Sequence, residues 1–287
     1  MPEITRPDGA TIHYEVFGSG YPLLLIAPGG VSSQVDFWRR STINPIERFA
    51  DSFKVIAMDQ RHAGRSLAPM RPFSYDMCNA DQLAVLDAVG AGSAHVMGGC
   101  IGCAHIWRLI ANAPRRITAA VCQDPVGLDA SNDIDVFYRM FHDTMRVARA
   151  EGVDAVIRAA EENPLFVTNN AAGPFAPLLN ASEDARRELR EMGRERYISL
   201  IVEFRDGIWP LKRPYFTVSE EWMRSCATPL LVLPGRDQFH PTGVSHDICR
   251  EAPNARCLDV DCREPAKLEA TIEAIRAFLS GHTPANG

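Results

Sequence analysis

Gly98-Gly99-Cys100-Ile101-Gly102 sets one thiol among closely spaced glycines, after an apolar run (Ala94–Met97) and before a helix-period run through Ala104–Ala111. A strand that turns directly into a helix strains its central residue. Glycines on either side relieve the clashes and leave the central side chain exposed at the sheet's carboxyl edge. That residue also stands at a helix N-terminus, whose partial positive charge stabilises a thiolate. The pattern points to Cys100 as a nucleophile. A bland alternative is that the glycines only permit close strand–helix packing around a buried thiol. Cys100 and Cys103 also spell C-x-x-C, but Ala104 stands where a haem-attachment motif needs His, and no second ligand pair has zinc spacing. No metal and no cofactor is expected, and Cys103 is expected to be a bystander.

A cysteine nucleophile at neutral pH needs a base or a local positive charge. Of the eight histidines, His13 and His95 fall at strand starts, His105 lies well along the nucleophile helix, and His246 and His282 follow later elements. These five read as packed or solvated rings. His62, in DQRHAGRS, lies nearer the rim, and His142 could face a pocket. His240 is favoured, because LPGRDQFHP puts it three residues after Asp237, both beyond one apolar strand. The expected constellation is Cys100–His240–Asp237, with Asp124 of VCQDP as alternate acid. The competing reading makes Asp237 a loop cap and His240 a packed ring before Pro241.

The elements that must position these groups alternate along the chain. Strands are expected at Thr11–Val16 (an edge strand with one wet face), Leu23–Ala27, Lys54–Met58, Ala94–Met97, Thr118–Gln123, Pro229–Leu233 and Arg256–Val260. Helix-period stretches such as Ala80–Val89 and Pro265–Leu279 lie between them, which argues an α/β fold with a mostly parallel sheet. Leu128 to Ser225 carries hardly any strand signal. It reads as helices (Ile134–Ala150, Val153–Glu161, Glu183–Phe204, Glu220–Met223) punctuated by prolines. The expected organisation is a core of residues 1–127 and 229–287, with a helical cap of 128–228 inserted after the sixth strand.

These segments, in this order, resemble the α/β-hydrolase superfamily over nearly the whole chain. ATIHYEVFGSGYPLLLIAPGG is similar to its opening hairpin, third strand and oxyanion loop. VIAMDQRHAGRS resembles the segment written D-x-R-G-x-G-x-S, GGCIG its nucleophile elbow, and TPLLVLPGRD the strand and turn presenting the catalytic acid. The capped chain is like epoxide hydrolases and meta-cleavage hydrolases. Three departures stand out: Cys100 replaces the usual serine, Pro28-Gly29 replaces His-Gly, and ARCLDVDCREPAKLEA lacks the histidine that follows the last strand in relatives. That stretch holds Asp259, Asp261 and Cys262 instead.

The resemblance implies oxyanion donors on the backbone N–H groups of Gly30 and Ile101. A cysteine elbow resembles dienelactone hydrolases, so a small, largely apolar ester, lactone or thioester is the expected substrate, hydrolysed through an acyl-cysteine. Trp38, Phe137, Tyr138, Phe141, His142, Trp209, Phe216 and Phe239 are the expected pocket residues. The missing histidine keeps open a cofactor-free lyase or oxygenase, an acyltransferase, or a non-catalytic ligand-binding homologue.

A net charge of −6 gives no electrostatic reason for nucleic-acid or anionic-membrane binding. No apolar run is long enough to span a bilayer, and the N-terminus has no export-signal core. The eight cysteines are expected to be reduced, the protein cytoplasmic, and its partners a small-molecule substrate and possibly a second copy of itself.

Overall fold

The computed structural model describes residues 2–211, 214–260 and 264–285. Its strands are β1 (Glu3–Thr5), β2 (Thr11–Phe17), β3 (Tyr21–Ile26), β4 (Phe53–Met58), β5 (Ala94–Gly99), β6 (Ile117–Gln123), β7 (Leu230–Leu233) and β8 (Ala255–Cys257). They form a single sheet in the order β1-β2-β4-β3-β5-β6-β7-β8. From β4 to β8 every neighbour pair is parallel, while β2 runs antiparallel to both β1 and β4.

Alternation along the strands sorts side chains to two faces. Leu24, Ile26, Ile56 and Val96 pack with Trp107 and Ile106 of one face's helices. Leu23, Leu25, Val55 and Met97 pack on the other face with Trp38, Phe49 and Ile275. The covering helices are α1 (Val35–Arg39), α2 (Pro45–Phe49), α3 (Tyr75–Ala88) and α4 (Ile101–Asn112) before the insertion. After it come α11 (Thr242–Glu251) and α12 (Pro265–Gly281). Both faces being covered is what lets the central strands be continuously apolar.

Between β6 and β7 lies the helical insertion: α5 (Asp135–Tyr138), α6 (His142–Glu151), α7 (Val153–Glu162), α8 (Ala176–Ala181), α9 (Glu183–Ile208) and α10 (Glu220–Ser225). Ser182 starts α9 by accepting from the Ala185 N–H at 3.2 Å, and Gly193 breaks it at φ 72°. The insertion has its own apolar cluster, including Phe137, Phe141, Phe175, Phe204 and Trp209, which packs onto Ile101, Ala104 and Cys100 of the core.

Two strand expectations change. The edge of the sheet is β1, which pairs with Thr11–His13, while Tyr14–Phe17 of β2 pair with β4. A three-residue strand is too short to show a period, which is why Thr11–Val16 carries the edge signal in the sequence. The last strand ends at Cys257 rather than Val260, because Asp259 turns aside to the Arg236 guanidinium (2.5 Å) and the His246 ring (3.6 Å). Asp261 and Cys262 lie outside the described residues.

Candidate active site

Cys100 occupies the turn between β5 and α4 at φ 55°, ψ −120°, a region non-glycine residues avoid. The flanking glycines are forced by close approach. A Cβ on Gly102 would stand 2.3 Å from the carbonyl oxygen of Ile26, and one on Gly98 would stand 2.7 Å from the Gly102 backbone. The elbow is held from beneath as well: the Cys100 N–H donates to the Gln123 carbonyl at 3.0 Å, and its carbonyl accepts from Cys103 N–H at 3.0 Å. Cys103 is fully buried, with its thiol directed at the Gly98 and Gln123 carbonyls (3.4 and 3.5 Å). It packs as a small core residue with a weak donor. The other described cysteines are free as well.

The two residues expected to supply oxyanion donors, Ile101 and Gly30, lie on either side of Cys100 in sequence. Ile101 is the first residue of α4, so its N–H has no intrahelical acceptor. Gly30 opens a short 3-10 turn (Gly30–Ser32) at φ 59°, and a Cβ built on it would meet nothing within 4 Å. Pro28 packs against Gly99, so the loop that carries Gly30 is pinned beside the elbow.

His240 reaches the same edge from the loop after β7. Its Nδ1–H donates to Asp237 Oδ1 at 2.8 Å, and that same oxygen accepts the N–H groups of Phe239 (2.9 Å) and His240 (3.1 Å). One carboxylate thus shapes the turn and fixes the ring. The buried Nε2 has no partner of ordinary hydrogen-bond geometry among the described residues, and the group it faces is the Cys100 thiol. Burial alone would lower the imidazole pKa. The negative charge and sulfur contact of Cys100, together with the bond to Asp237, overcome burial and raise it to about 10. In turn, the His240 hydrogen bond draws Asp237 down to about 2. Asp237 thus holds the His240 ring through Nδ1, and Cys100 is near enough to bear on the titration of that ring. A loose contact between thiol and ring is what a site without substrate commonly has.

Asp124, the alternate acid, follows β6 at φ 47° and accepts from Gln123 Nε2 at 3.4 Å, while the hydrogen bond donated by His240 Nδ1–H is accepted by Asp237. Four other imidazoles are engaged elsewhere. His13 meets Glu15 (3.4 Å), His95 meets Thr118 and Thr283 (2.8 and 3.0 Å), and His105 meets Gln82 (3.2 Å). His282 meets the Phe278 carbonyl at 2.7 Å.

The expected pocket residues divide. Phe137 contacts Trp209, Phe216 and Phe239 at centroid separations of 4.6, 4.9 and 5.7 Å, and Phe239 lies 6.2 Å from His240. This aromatic string, with Phe141 in the same cluster, leads from the base into the insertion. Three others are placed differently. Trp38 is fully buried in the cluster of the other sheet face, with its ring edge beside Gly99 of the elbow. His142 is exposed at the N-terminus of α6. Tyr138 is half-buried under the Arg205 guanidinium, 4.1 Å from its ring.

Some contributors carried no sequence signal. Asn132 Nδ2 donates to the Gln238 carbonyl (2.9 Å) and Arg139 to Gln238 Oε1 (2.7 Å), so the insertion braces the base loop. Tyr75 is buried near Cys100 and donates to the Ile208 carbonyl at 2.9 Å. Burial, with the charges of Cys78 and Cys100, holds its phenol far above the usual range.

Comparison with known proteins gives a consistent picture. The sequence pattern of the α/β hydrolase fold family matches residues 22–263. RutD of Azorhizobium caulinodans, a protein named for carbamate hydrolysis, is 33% identical over 278 residues, 95% of this chain and 94% of that one. The rhodomycin D methylesterase DauP of Streptomyces sp. strain C5 is 26% identical, over 92% of this chain and 91% of its own. Among solved structures, the enol-lactonase from Burkholderia xenovorans LB400 superposes with a TM-score of 0.62 at 18% identity, covering 97% of this chain and 100% of that one. No described helix is long and apolar enough to cross a membrane.

Proposed function

The chain belongs to the α/β-hydrolase-fold family, and from that premise we propose that it hydrolyses a small, largely apolar ester, lactone or thioester through an acyl-cysteine on Cys100. What supports this reading is the strained elbow at Cys100 together with an imidazole, His240, that Asp237 holds by a hydrogen bond and whose titration responds to Cys100. The names of the relatives, for a carbamate and a methyl ester, belong to the same acyl-transfer class.

In this mechanism His240 Nε2 takes the thiol proton and Cys100 Sγ attacks the acyl carbon. The carbonyl electron pair moves to oxygen, where the N–H groups of Ile101 and Gly30 hold it. Losing one such donor costs about 10²–10³ in rate. Collapse expels the leaving alkoxide, which takes the proton from His240. His240 then deprotonates a water, the hydroxide attacks the thioester, and the Cys100 thiolate leaves with the acid as product. Asp237 holds the ring in the tautomer that presents Nε2 to sulfur and stabilises the imidazolium. The insertion acts as a cap (residues 128–228) over a core of 1–127 and 229–287. A cleft of about 530 Å³ lies between Ser32, Gln34 and Arg65 of the core and Leu165, Pro177 and Asn180 of the insertion.

The test is intact-mass analysis during turnover of an aryl ester. A transient acyl adduct on Cys100, absent in Cys100→Ala together with turnover, is the expected result. Full turnover by Cys100→Ala would sink the proposal and favour chemistry in which position 100 only donates a hydrogen bond.

A further inference from the structure

His62 stands where the D-x-R-G-x-G-x-S pattern has its first glycine, and it keeps the backbone that glycine would have had, at φ 68°. A left-handed conformation is strained for a residue with a Cβ, by about 1–3 kcal/mol, and strain of this kind persists where the surroundings impose it. Those surroundings are strong. The neighbouring Arg61 is 7% exposed and clamps Asp81 through Nε and Nη2 (2.8 and 2.9 Å) and Asp8 through Nη1 (2.5 Å). The turn after β4 is thereby fixed to α3 and to the first hairpin.

The ring that this turn presents is 4% exposed and makes no hydrogen bond through either nitrogen among the described residues, with Nδ1 fully enclosed. An enclosed polar nitrogen without a partner costs about 1–3 kcal/mol. The ring meets Phe175 and Phe204 of the insertion edge-on, at centroid separations of 5.3 and 5.6 Å. Both phenylalanines belong to the cluster on which Cys100 packs. In the sheet only β3 separates β4 from β5, so the segments that carry His62 and Cys100 leave the same sheet edge from strands about two spacings apart, about 10 Å. A strained backbone and an unpartnered buried ring, both at the core–insertion junction, are a combined cost that packing against two phenyl rings does not require.

We infer that His62 is a specificity-determining residue, hydrogen-bonding a neutral polar group, a carbonyl, hydroxyl or amide, on the arm of the substrate that extends toward Phe175 and Phe204. The group is neutral because burial holds the imidazole pKa at about 3, leaving the ring uncharged as one donor and one acceptor. It therefore offers no cation for a carboxylate. The inference rests on Cys100 being the reacting centre, and its test separates the two.

Two matched ester pairs serve as probes: methyl 5-phenylpentanoate with its 5-oxo counterpart, and 5-phenylpentyl acetate with its 5-oxo counterpart. The polar group lies on the acyl arm in one pair and on the alcohol arm in the other. The wild type should favour the 5-oxo member of one pair, and His62→Phe should lose that preference about tenfold in kcat/KM while the plain member holds or improves. His62→Asn, which tolerates positive φ and keeps a polar end, should restore part of it. A fall of both members together would assign His62 a structural role and overturn the inference, as would an absence of preference in both pairs. The same probes bound to Cys100→Ala, read by calorimetry, report on His62 without turnover. If the wild type fails to turn over any ester, a 5-oxo preference in binding that His62→Phe removes still supports the inference, and its absence overturns it.

Discussion

At the end of β5 the position of Cys100 is set by backbone against backbone. Gly98, Gly102 and Ile26 approach so closely that no side chain fits, and the turn has one available path. At the end of β7 the position of His240 is set by side chains. Asp237 Oδ1 gathers three donors, Thr242 Oγ1 bonds the Gly235 carbonyl at 2.7 Å, and Gln238 is tied to Asn132 and Arg139 of the insertion. The first device is built into the sheet and withstands change around it. The second can be relocated by a few substitutions, because a short loop carries its acid and its base together. On the proposed mechanism, this difference lets the base sit on the loop after β7 while the segment after the last strand carries no histidine.

The strongest way to break the comparison is at Gly102. In Gly102→Ala the new Cβ meets a carbonyl oxygen of β3 at 2.3 Å, and neither the strand nor the helix can move without disturbing the sheet. Destabilisation above about 4 kcal/mol is expected, read as a fall in denaturation midpoint. A change below about 1 kcal/mol would show that the elbow has more freedom than its packing implies. The equivalent change in the base loop, Gly235→Ala, presses on the His240 Cβ at 2.3 Å and on its carbonyl oxygen at 2.6 Å. It should cost less stability but more activity, because the loop yields and the ring moves with it.

Next in size is the acid. Asp237→Asn keeps the turn's acceptor but removes the charge that stabilises the imidazolium, and its amide can present the wrong group to Nδ1. A loss of about 10²–10⁴ in kcat is expected, with acyl adduct formation slowed. Asp124→Asn should stay within about tenfold of the wild type. Equal losses in the two variants would mean that both carboxylates serve the ring, and would weaken the idea of a self-contained base loop.

The same contrast decides what was legible in the chain. The elbow could be read because glycine spacing reports backbone crowding directly, and the apolar runs of β3, β5 and β7 report burial on both faces. Asp237 and His240 could be proposed from spacing within one short loop. What holds that loop could not, since Asn132 and Arg139 reach Gln238 across about a hundred residues of chain. Aromatic type alone likewise did not say where a ring packs. Trp38 went to the opposite sheet face and Phe137 to the aromatic string beside His240. His62 reads in sequence as one more rim histidine, and its φ and its enclosed, unpartnered Nδ1 set it apart.

The smallest effect tests the electrostatics of the base loop. His240 has its pKa raised from the ordinary histidine value to about 10, so its pairing contributes stability fully below about pH 6.5, the unfolded value. That contribution is lost as pH rises through about 10. Asp237 works in the opposite direction, with its contribution present above about pH 4 and lost as pH falls through about 2. Between pH 7 and 10 the wild type should therefore lose thermal stability that His240→Gln does not lose. In Cys100→Ala the largest group raising the imidazole is gone while burial remains, so the His240 titration followed by NMR should move well below 10. An imidazole titrating near 10 without the thiol would assign the shift to Asp237 alone and leave the elbow and the base loop electrostatically independent.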